Sequence, residues 1–417
     1  MKEVLKTIIM EQQEDVRRST DGTIERQISE EWLTTSEIVI ISGIRRCGKS
    51  VLLQQIRSRL AERDYYFNFD DDRLVQFSIG DFAKLQECFF ELFGEQHTYY
   101  FDEIQNIEGW EQFVRRLYNG GNKVFVTGSN ARMLSRELGT HLTGRYLSVE
   151  LFPFSFAEFL AMKDERPSQR NQFTTLGRSR LLSLFKEHLT QGGFPYYVRH
   201  HSATYLSTLY QSIIYRDIIT RNKVSNEREI QELVYYLASN PARRFTYSSL
   251  CKTIGIRHPE TIKNYLSYIE QTYLAFQILK FDPSLKIQMA NPKKIYFIDN
   301  GIVNRIGFNA TENIGTQLEN SVYIELRRRG CEVFYHAGEK ECDFVVRNGI
   351  RIVKAFQVTV SMSNDDTRKR ELAGLRDAMT AYSLSEGYVL TMEERETITE
   401  DGCTIHVLPV WEWMLKL

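Results

Sequence analysis

Between Glu37 and Glu150 the apolar positions gather in short runs, Ile38–Ser42, Tyr65–Phe69, Tyr99–Asp102, Lys123–Thr127 and Tyr146–Leu151, with helical patterns between them. That alternation predicts an α/β domain with a parallel sheet flanked by helices. From Phe154 to Arg221 the spacing becomes helical: Ser155–Met162 and Arg178–Leu189 precede the break Gly192-Gly193-Phe194-Pro195, and Ala203–Thr220 follows it. Three further helical stretches, Glu227–Ser239, Thr246–Ile254 and Pro259–Tyr273, lead into strand-like runs at Ala275–Phe281 and Lys294–Asp299. This is the order of a helix-turn-helix with a wing. After Gly315 come a helix (Gln317–Arg329), strands (Val333–Tyr335, Cys342–Val346, Ile352–Thr359), a charged helix near Arg368–Met379, and strands near Tyr388–Met392 and Thr404–Val407. The expected division is an α/β domain over 1–152, a helical connector over 153–226, a winged-helix domain over 227–300 and a second α/β domain over 301–417.

Composition narrows the class. The 417 residues are 42% apolar, 12% aromatic and 26% charged, which excludes a disordered, collagenous or disulfide-stapled chain. The formal net charge is only −1, so a charged partner must be held by local patches. Such patches exist: residues 241–300 hold nine Lys/Arg against four Asp/Glu, and residues 61–110 hold three against twelve. Six cysteines without a C-x-x-C pair argue against a zinc ribbon and read as reduced cytosolic thiols. No run approaches the roughly 18 apolar residues that span a bilayer, and Met1–Arg17 carries acidic residues where a signal peptide is apolar. A cytoplasmic protein without a membrane partner is expected.

The chemistry begins at Gly43-Ile44-Arg45-Arg46-Cys47-Gly48-Lys49-Ser50, which fits G-x-x-x-x-G-K-[ST], follows an apolar run and opens a predicted helix at Val51. Glycines there let successive N–H groups curl round a phosphate. Lys49 reaches the outer phosphate oxygens, and Ser50 is placed to ligate Mg²⁺. The run Tyr99-Tyr100-Phe101-Asp102-Glu103 then offers what such a site lacks, Asp102 to hold Mg²⁺ through water and Glu103 to polarise an attacking water. A third run, Val124 to Asn130, delivers Ser129 and Asn130, either of which is suited to sensing the terminal phosphate. Arg145 is a candidate charge stabiliser, in cis or in a neighbour's site. Asp70-Asp71-Asp72 reads as a solvated acidic edge.

The series GIRRCGKS, YYFDEIQNIEGW, VFVTGSNARMLS, LTGRYLSVELFPFSFAEFL, QGGFPYYV and IYRDIITRN resembles a large prokaryotic family of AAA+-type ATPases carrying a C-terminal domain of unknown function. The resemblance covers nearly the whole chain. It implies ATP bound by Gly43–Ser50, a Walker B pair at Asp102 and Glu103, a sensor at Ser129 or Asn130, and a functional arginine at Arg145. The implied cofactors are ATP and Mg²⁺, and an undefined protein client is expected.

Two C-terminal features add alternatives. The proposed recognition helix carries Thr261, Lys263 and Asn264, with Arg243, Arg244, Lys252 and Arg257 nearby, residue types that contact phosphates and base edges of DNA. Residues 313–359 resemble the same family's terminal module and are similar in layout to the PD-(D/E)XK nuclease core, which would place metal-binding acids at Glu319 and Asp343. Where that core has E-x-K, this chain has Gln357-Val358-Thr359. It thereby loses an anion and a cation, and Lys354, three residues upstream, should face away. A degenerate, nuclease-like domain kept for binding is expected. The main expectation is therefore an ATPase that switches a partner-binding surface. The alternatives are a DNA-binding module with a structural nucleotide site, and a metal-dependent nuclease using Glu319 and Asp343.

Overall fold

The computed structural model describes the chain except residues 20–21, 131–141, 143, 167–173, 309–312, 401 and 417, and the side chains of 17–19. Part of the run 124–135 and the position before Gly144 therefore lie outside the described residues. The chain divides into two compact units, Met1–Phe152 with Gln271–Tyr273, and Pro153–Glu270 with Leu274–Leu417.

The first unit is built on five parallel strands, β1 (Ile38–Ser42), β2 (Tyr66–Asn68), β3 (Thr98–Asp102), β4 (Lys123–Gly128) and β5 (Tyr146–Glu150), in the order β2-β3-β4-β1-β5. Alternate residues of each apolar run serve opposite faces, as strand geometry requires. Val39 and Ile41 pack with Tyr66, Tyr100 and Phe125 against Leu52, Leu53 and Ile56 of the helix Lys49–Arg59. Ile38, Ile40, Phe67, Phe101, Val124 and Val126 pack on the other face against Phe82, Phe89, Trp110 and Phe113. Both faces are covered, which explains why these strands read as continuous apolar runs. A helix the sequence pattern had not been used to predict, Lys2–Ser19, buries Leu5, Ile8 and Ile9 in the second of these cores and pairs Lys2 and Lys6 with Glu91.

In the second unit the helices Phe156–Met162, Thr175–Gln191, Pro195–His200 and Tyr205–Ser212 come first, the last continuing into a π-helical segment, Ile213–Thr220. Three helices follow, Glu227–Ser239, Tyr247–Ile254 and Pro259–Gln271, then the antiparallel hairpin β6 (Ala275–Leu279) and β7 (Lys293–Phe297). A six-stranded mixed sheet ends the chain: β8 (Glu332–Ala337), β9 (Glu341–Asn348), β10 (Arg351–Val358), β11 (Glu386–Thr391), β12 (Glu396–Glu400) and β13 (Cys403–Pro409), in the order β12-β13-β11-β10-β9-β8. The helix Asp365–Tyr382 covers one face through Leu372, Leu375, Ala378 and Met379.

A buried polar clasp explains the Gly192-Gly193 break. The Asp299 carboxylate accepts hydrogen bonds from the backbone N–H of Gly193 at 2.6 Å and of Ile302 at 3.2 Å, and a Cβ on Gly192 would lie 2.0 Å from Asp299 Oδ1. Asn300 Nδ2 donates to the carbonyls of Leu189 and Gln317, and Asn320 Nδ2 donates to Asn300 Oδ1. Burial pushes the Asp299 carboxyl up to about 6, with its backbone donors pulling the other way. Asp299→Ala leaves two buried N–H groups unpaired and should cost about 2–3 kcal/mol in urea unfolding. Because the folded carboxyl holds its proton more tightly than the unfolded one, wild-type stability should carry a component that declines as pH rises from 4 to 6. That component should be missing from the alanine variant.

Candidate nucleotide site and carboxylate cluster

The C-terminal ends of β1, β3 and β4 deliver the first group of polar residues. Residues 43–48 form the turn between β1 and the helix that starts at Lys49. Gly43 has φ +154° and its missing Cβ would fall 2.2 Å from the Leu151 carbonyl oxygen, so no side chain fits. Arg46 and Gly48 also take positive φ, which lets the turn close on itself. Ile44 and Cys47 are buried, and the Cys47 thiol contacts the Leu151 oxygen at 3.4 Å. Arg26 anchors the turn from outside by donating to the carbonyls of Cys47 (2.9 Å) and Phe152 (2.7 Å). Arg45, Ser50 and Val51 border the same turn, with Ser50 solvent-exposed.

Lys49 is 4% exposed, yet its ammonium has two partners: Nζ donates to the Ile44 carbonyl at 3.2 Å and lies 3.5 Å from Glu103 Oε1. Glu103 has φ +50°, a left-handed conformation that costs energy at a non-glycine residue and holds the carboxylate at the end of β3. Burial opposes its charge. The Lys49 ammonium, and after it the Gln105 amide, outweigh burial and hold the carboxyl below its ordinary range. Asp102 is fully buried, with Oδ1 bound by the Thr127 hydroxyl and Oδ2 3.4 Å from the Tyr66 hydroxyl. Burial first and the Glu103 charge second push its carboxyl up, against hydrogen bonds from Thr127 and Ser50. Ser50, Asp102, Glu103 and Lys49 are thus brought to one place from two strand ends. Thr127 also accepts the Glu103 backbone N–H at 3.0 Å, a contact that sequence reasoning missed because Thr127 reads as an ordinary strand residue.

Ser129 and Asn130 are both buried just beyond β4, and Ser129 joins the acid pair through Gln105 Nε2 at 3.4 Å. Arg145 is not brought there. It precedes β5, its carbonyl accepts the N–H of Ile38 at the start of β1, and its guanidinium lies 5.9 Å from the Tyr118 ring centre. That is the opposite end of the sheet from the glycine-bracketed turn. Strands of five residues rise about 3.3 Å per residue, so the gap exceeds an arginine's reach. The cis alternative for Arg145 is corrected accordingly.

The second group lies in the C-terminal unit, in a cleft of about 700 Å³ bordered by Arg244, Glu319, Glu341, Asp343, Gln357, Arg370 and Glu371. Glu319 and Asp343 come together there, joined by a residue the sequence reading passed over. Lys294 on β7, 4% exposed, lies 3.2 Å from Glu319, 2.8 Å from Glu341 and 3.5 Å from Asp343. The Tyr296 hydroxyl donates to Glu319 at 2.6 Å. Gln357 accepts the Asp343 N–H at 3.3 Å and donates to Glu371 at 2.6 Å, while Lys354 is exposed. Burial and then the Glu319 charge raise the Asp343 carboxyl. Burial alone would lower Lys294, but the surrounding acids raise it well above the ordinary lysine range. Lys294 was legible only as part of a basic count, because nothing in its local sequence shows that β7 faces the acids.

Of the residues considered for DNA, Arg243, Lys252, Arg257, Lys263 and Asn264 are exposed. Lys263 lies 3.3 Å from Glu260, and Arg244 is engaged with Glu341 at 2.5 Å. Lys293 turns inward to the carbonyls of Met289 and Asn291. The exposed basic face is therefore narrower than the count over 241–300 suggests.

Comparison with known proteins adds the following. Residues 35–160 match the family described as an AAA domain, and residues 182–313 match a domain of unknown function, DUF8612. The Methanocaldococcus jannaschii protein MJ1544 is 30% identical over 408 residues, spanning 92% of this chain and 89% of that protein. A Haemophilus influenzae protein is 31% identical over 401 residues, spanning 92% and 95%. Among solved structures, the Aeropyrum pernix Orc1 protein in complex with DNA aligns at a TM-score of 0.30 and 10% identity, over 70% of this chain and 91% of that one, a level that bears on neither function nor partner.

Lys294→Met should remove the ammonium that pairs with Glu319, Glu341 and Asp343 and cost about 3–5 kcal/mol. Without the ammonium the Asp343 carboxyl, already pushed up to about 8 in the folded chain, should keep its proton to still higher pH, so the deficit should widen as pH rises through 8 in denaturant titrations.

Proposed function

We propose a nucleotide-hydrolysing function for this chain, which belongs to the prokaryotic AAA+-type P-loop ATPase family with a C-terminal domain of unknown function. ATP is the substrate, and ADP with inorganic phosphate are the products. The observation that carries the reading is the convergence of Lys49, Ser50, Asp102 and Glu103 at the C-terminal edge of the parallel sheet, beside a turn whose first glycine admits no side chain.

The backbone N–H groups of residues 44–50 and the start of the helix Lys49–Arg59 supply donors and a positive dipole end for the phosphates. Lys49 exchanges its contact with Glu103 for the outer phosphate oxygens, a better anionic partner. Ser50 and Asp102 are the hard oxygen donors that fit Mg²⁺, and the raised Asp102 carboxyl is that of an acid waiting for a cation. The ion, when bound, neutralises charge on the phosphate oxygens. Glu103, once Lys49 turns away, accepts a proton from the attacking water. Ser129, tied to Glu103 through Gln105, senses the terminal phosphate. Arg145, at the far end of the sheet, serves a neighbouring copy's site.

Nucleotide state then alters a partner-binding surface in the C-terminal half. We read the helices Glu227–Ser239, Tyr247–Ile254 and Pro259–Gln271 with hairpin β6–β7 as a winged helix. The exposed Arg243, Lys252, Arg257, Lys263 and Asn264 favour DNA as one partner. The terminal sheet is read as a nuclease-like fold used for binding, since Gln357 stands at an acid position and Lys294 fills the carboxylate cluster.

Lys49→Ala should abolish nucleotide binding. Glu103→Gln should retain ATP but release phosphate at least about 10²-fold more slowly. Equal turnover by wild type and Glu103→Gln would remove Glu103 from the mechanism. If DNA is bound through the winged helix, log affinity should fall with log salt, and Arg257→Ala should reduce that slope by about 1; an unchanged slope would assign binding elsewhere.

A further inference from the structure

Gln105 follows Glu103 by two residues, in the single 3₁₀ turn Ile104–Asn106 that ends β3. Its Nε2 donates to Glu103 Oε2 and lies 3.4 Å from Ser129 Oγ. An ionised carboxylate offers only acceptors, so the NH₂ end of the amide must be the one facing Glu103. This fixes the opposite end: Gln105 Oε1 is buried without a hydrogen-bond partner. Leaving a buried acceptor bare costs about 1–3 kcal/mol, a cost that a donor arriving at this spot would recover.

The two oxygens of Glu103 are not equivalent. Oε2 is held by Gln105, whereas Oε1 lies 3.5 Å from Lys49 Nζ. Under the ATPase reading, on which this inference rests, Lys49 turns to the phosphates and Oε1 becomes free while Oε2 stays tied. One hydrogen-bonded pair then presents two acceptors, Glu103 Oε1 and Gln105 Oε1, and water has two hydrogens to give.

We propose that Gln105 orients the hydrolytic water together with Glu103: its NH₂ group fixes the Glu103 carboxylate against Ser129, and its carbonyl accepts the second hydrogen bond of the water. As the water oxygen bonds to the terminal phosphorus, one proton passes to Glu103 Oε1 and the bond from that phosphorus to the ADP oxygen breaks. ADP departs with the bonding electron pair. Gln105 neither gains nor loses a proton. It also links Glu103 to Ser129, so the base and the phosphate sensor move as one unit.

The test uses the full chain with Mg²⁺ and ATP, measuring ATP affinity, kcat, KM and the pH profile of kcat for wild type, Gln105→Leu, Gln105→Glu and Glu103→Gln. Gln105→Leu should bind ATP within about threefold of wild type but lose about 10²-fold in kcat at unchanged KM. The acidic limb of its profile should move to higher pH, because Glu103 loses a donor that stabilises its charge. Gln105→Glu should be as slow at pH 8 yet gain rate as pH falls, since a protonated carboxyl restores both the donor and the acceptor. A residue with only a structural role would alter ATP affinity or stability and leave the profile where it is. Wild-type kcat and profile in Gln105→Leu, with Glu103→Gln slow, would overturn this inference alone. Equal turnover by wild type and Glu103→Gln would overturn the ATPase reading and this inference with it. Should Gln105→Leu fail to fold, the near-isosteric Gln105→Glu carries the comparison.

Discussion

At the C-terminal edge of the five-stranded sheet one ammonium and two carboxylates share a site almost closed to water, and their charges do not balance. Lys49 satisfies Glu103, which keeps its proton off, while Asp102 is left with hydroxyl partners and a raised carboxyl. Inside a protein each such interaction is stronger than in water, and so is the cost of an unbalanced charge. Under the proposed function, a polyphosphate accompanied by a divalent cation would correct both faults, taking Lys49 and giving Asp102 a counter-charge. The positive φ at Glu103 is a backbone strain, and the close approach of Gly43 to Leu151 admits only glycine; both lie at the same edge.

The carboxylate cluster of the terminal unit solves the same problem the opposite way. There the cation is part of the chain: Lys294 reaches Glu319, Glu341 and Asp343, and Tyr296 and Gln357 complete the hydrogen bonding. A cluster partly neutralised by a covalently attached ammonium, with Arg244 on Glu341, has less electrostatic need of a metal ion. The proposed nuclease-like reading is consistent with this, since there a neutral amide, Gln357, stands where a nuclease core keeps an acid. Under the proposed function, the two sites differ in whether their counter-ion arrives from solution or is built in.

The parallel sheet was legible because its strands are buried on both faces, so that Ile38–Ser42 and Lys123–Thr127 stand out as unbroken apolar runs, each ending at polar residues that the fold delivers to one edge. The helix Lys2–Ser19 was equally readable from Leu5, Ile8 and Ile9 at helical spacing, but that segment had served only to exclude a signal peptide. Strand β12 was missed because it is an exposed edge with little apolar signal. Residues whose roles depend on contacts distant in sequence were invisible: Lys294 looked like surface charge, and Asp299 like the end of a strand. Arg145 was ambiguous for a related reason, since only the register of β5 with β1 shows which end of the sheet it occupies.

The central claim is that one triphosphate engages the glycine-bracketed turn and the paired acids at once. Amide hydrogen exchange of the full chain, with and without a non-hydrolysable ATP analogue and Mg²⁺, reads both segments in one experiment. The account predicts that residues 43–51 and 102–105 gain protection together on addition of the analogue. Protection of the turn without the acid segment, or unchanged exchange in both at saturating analogue, would contradict it.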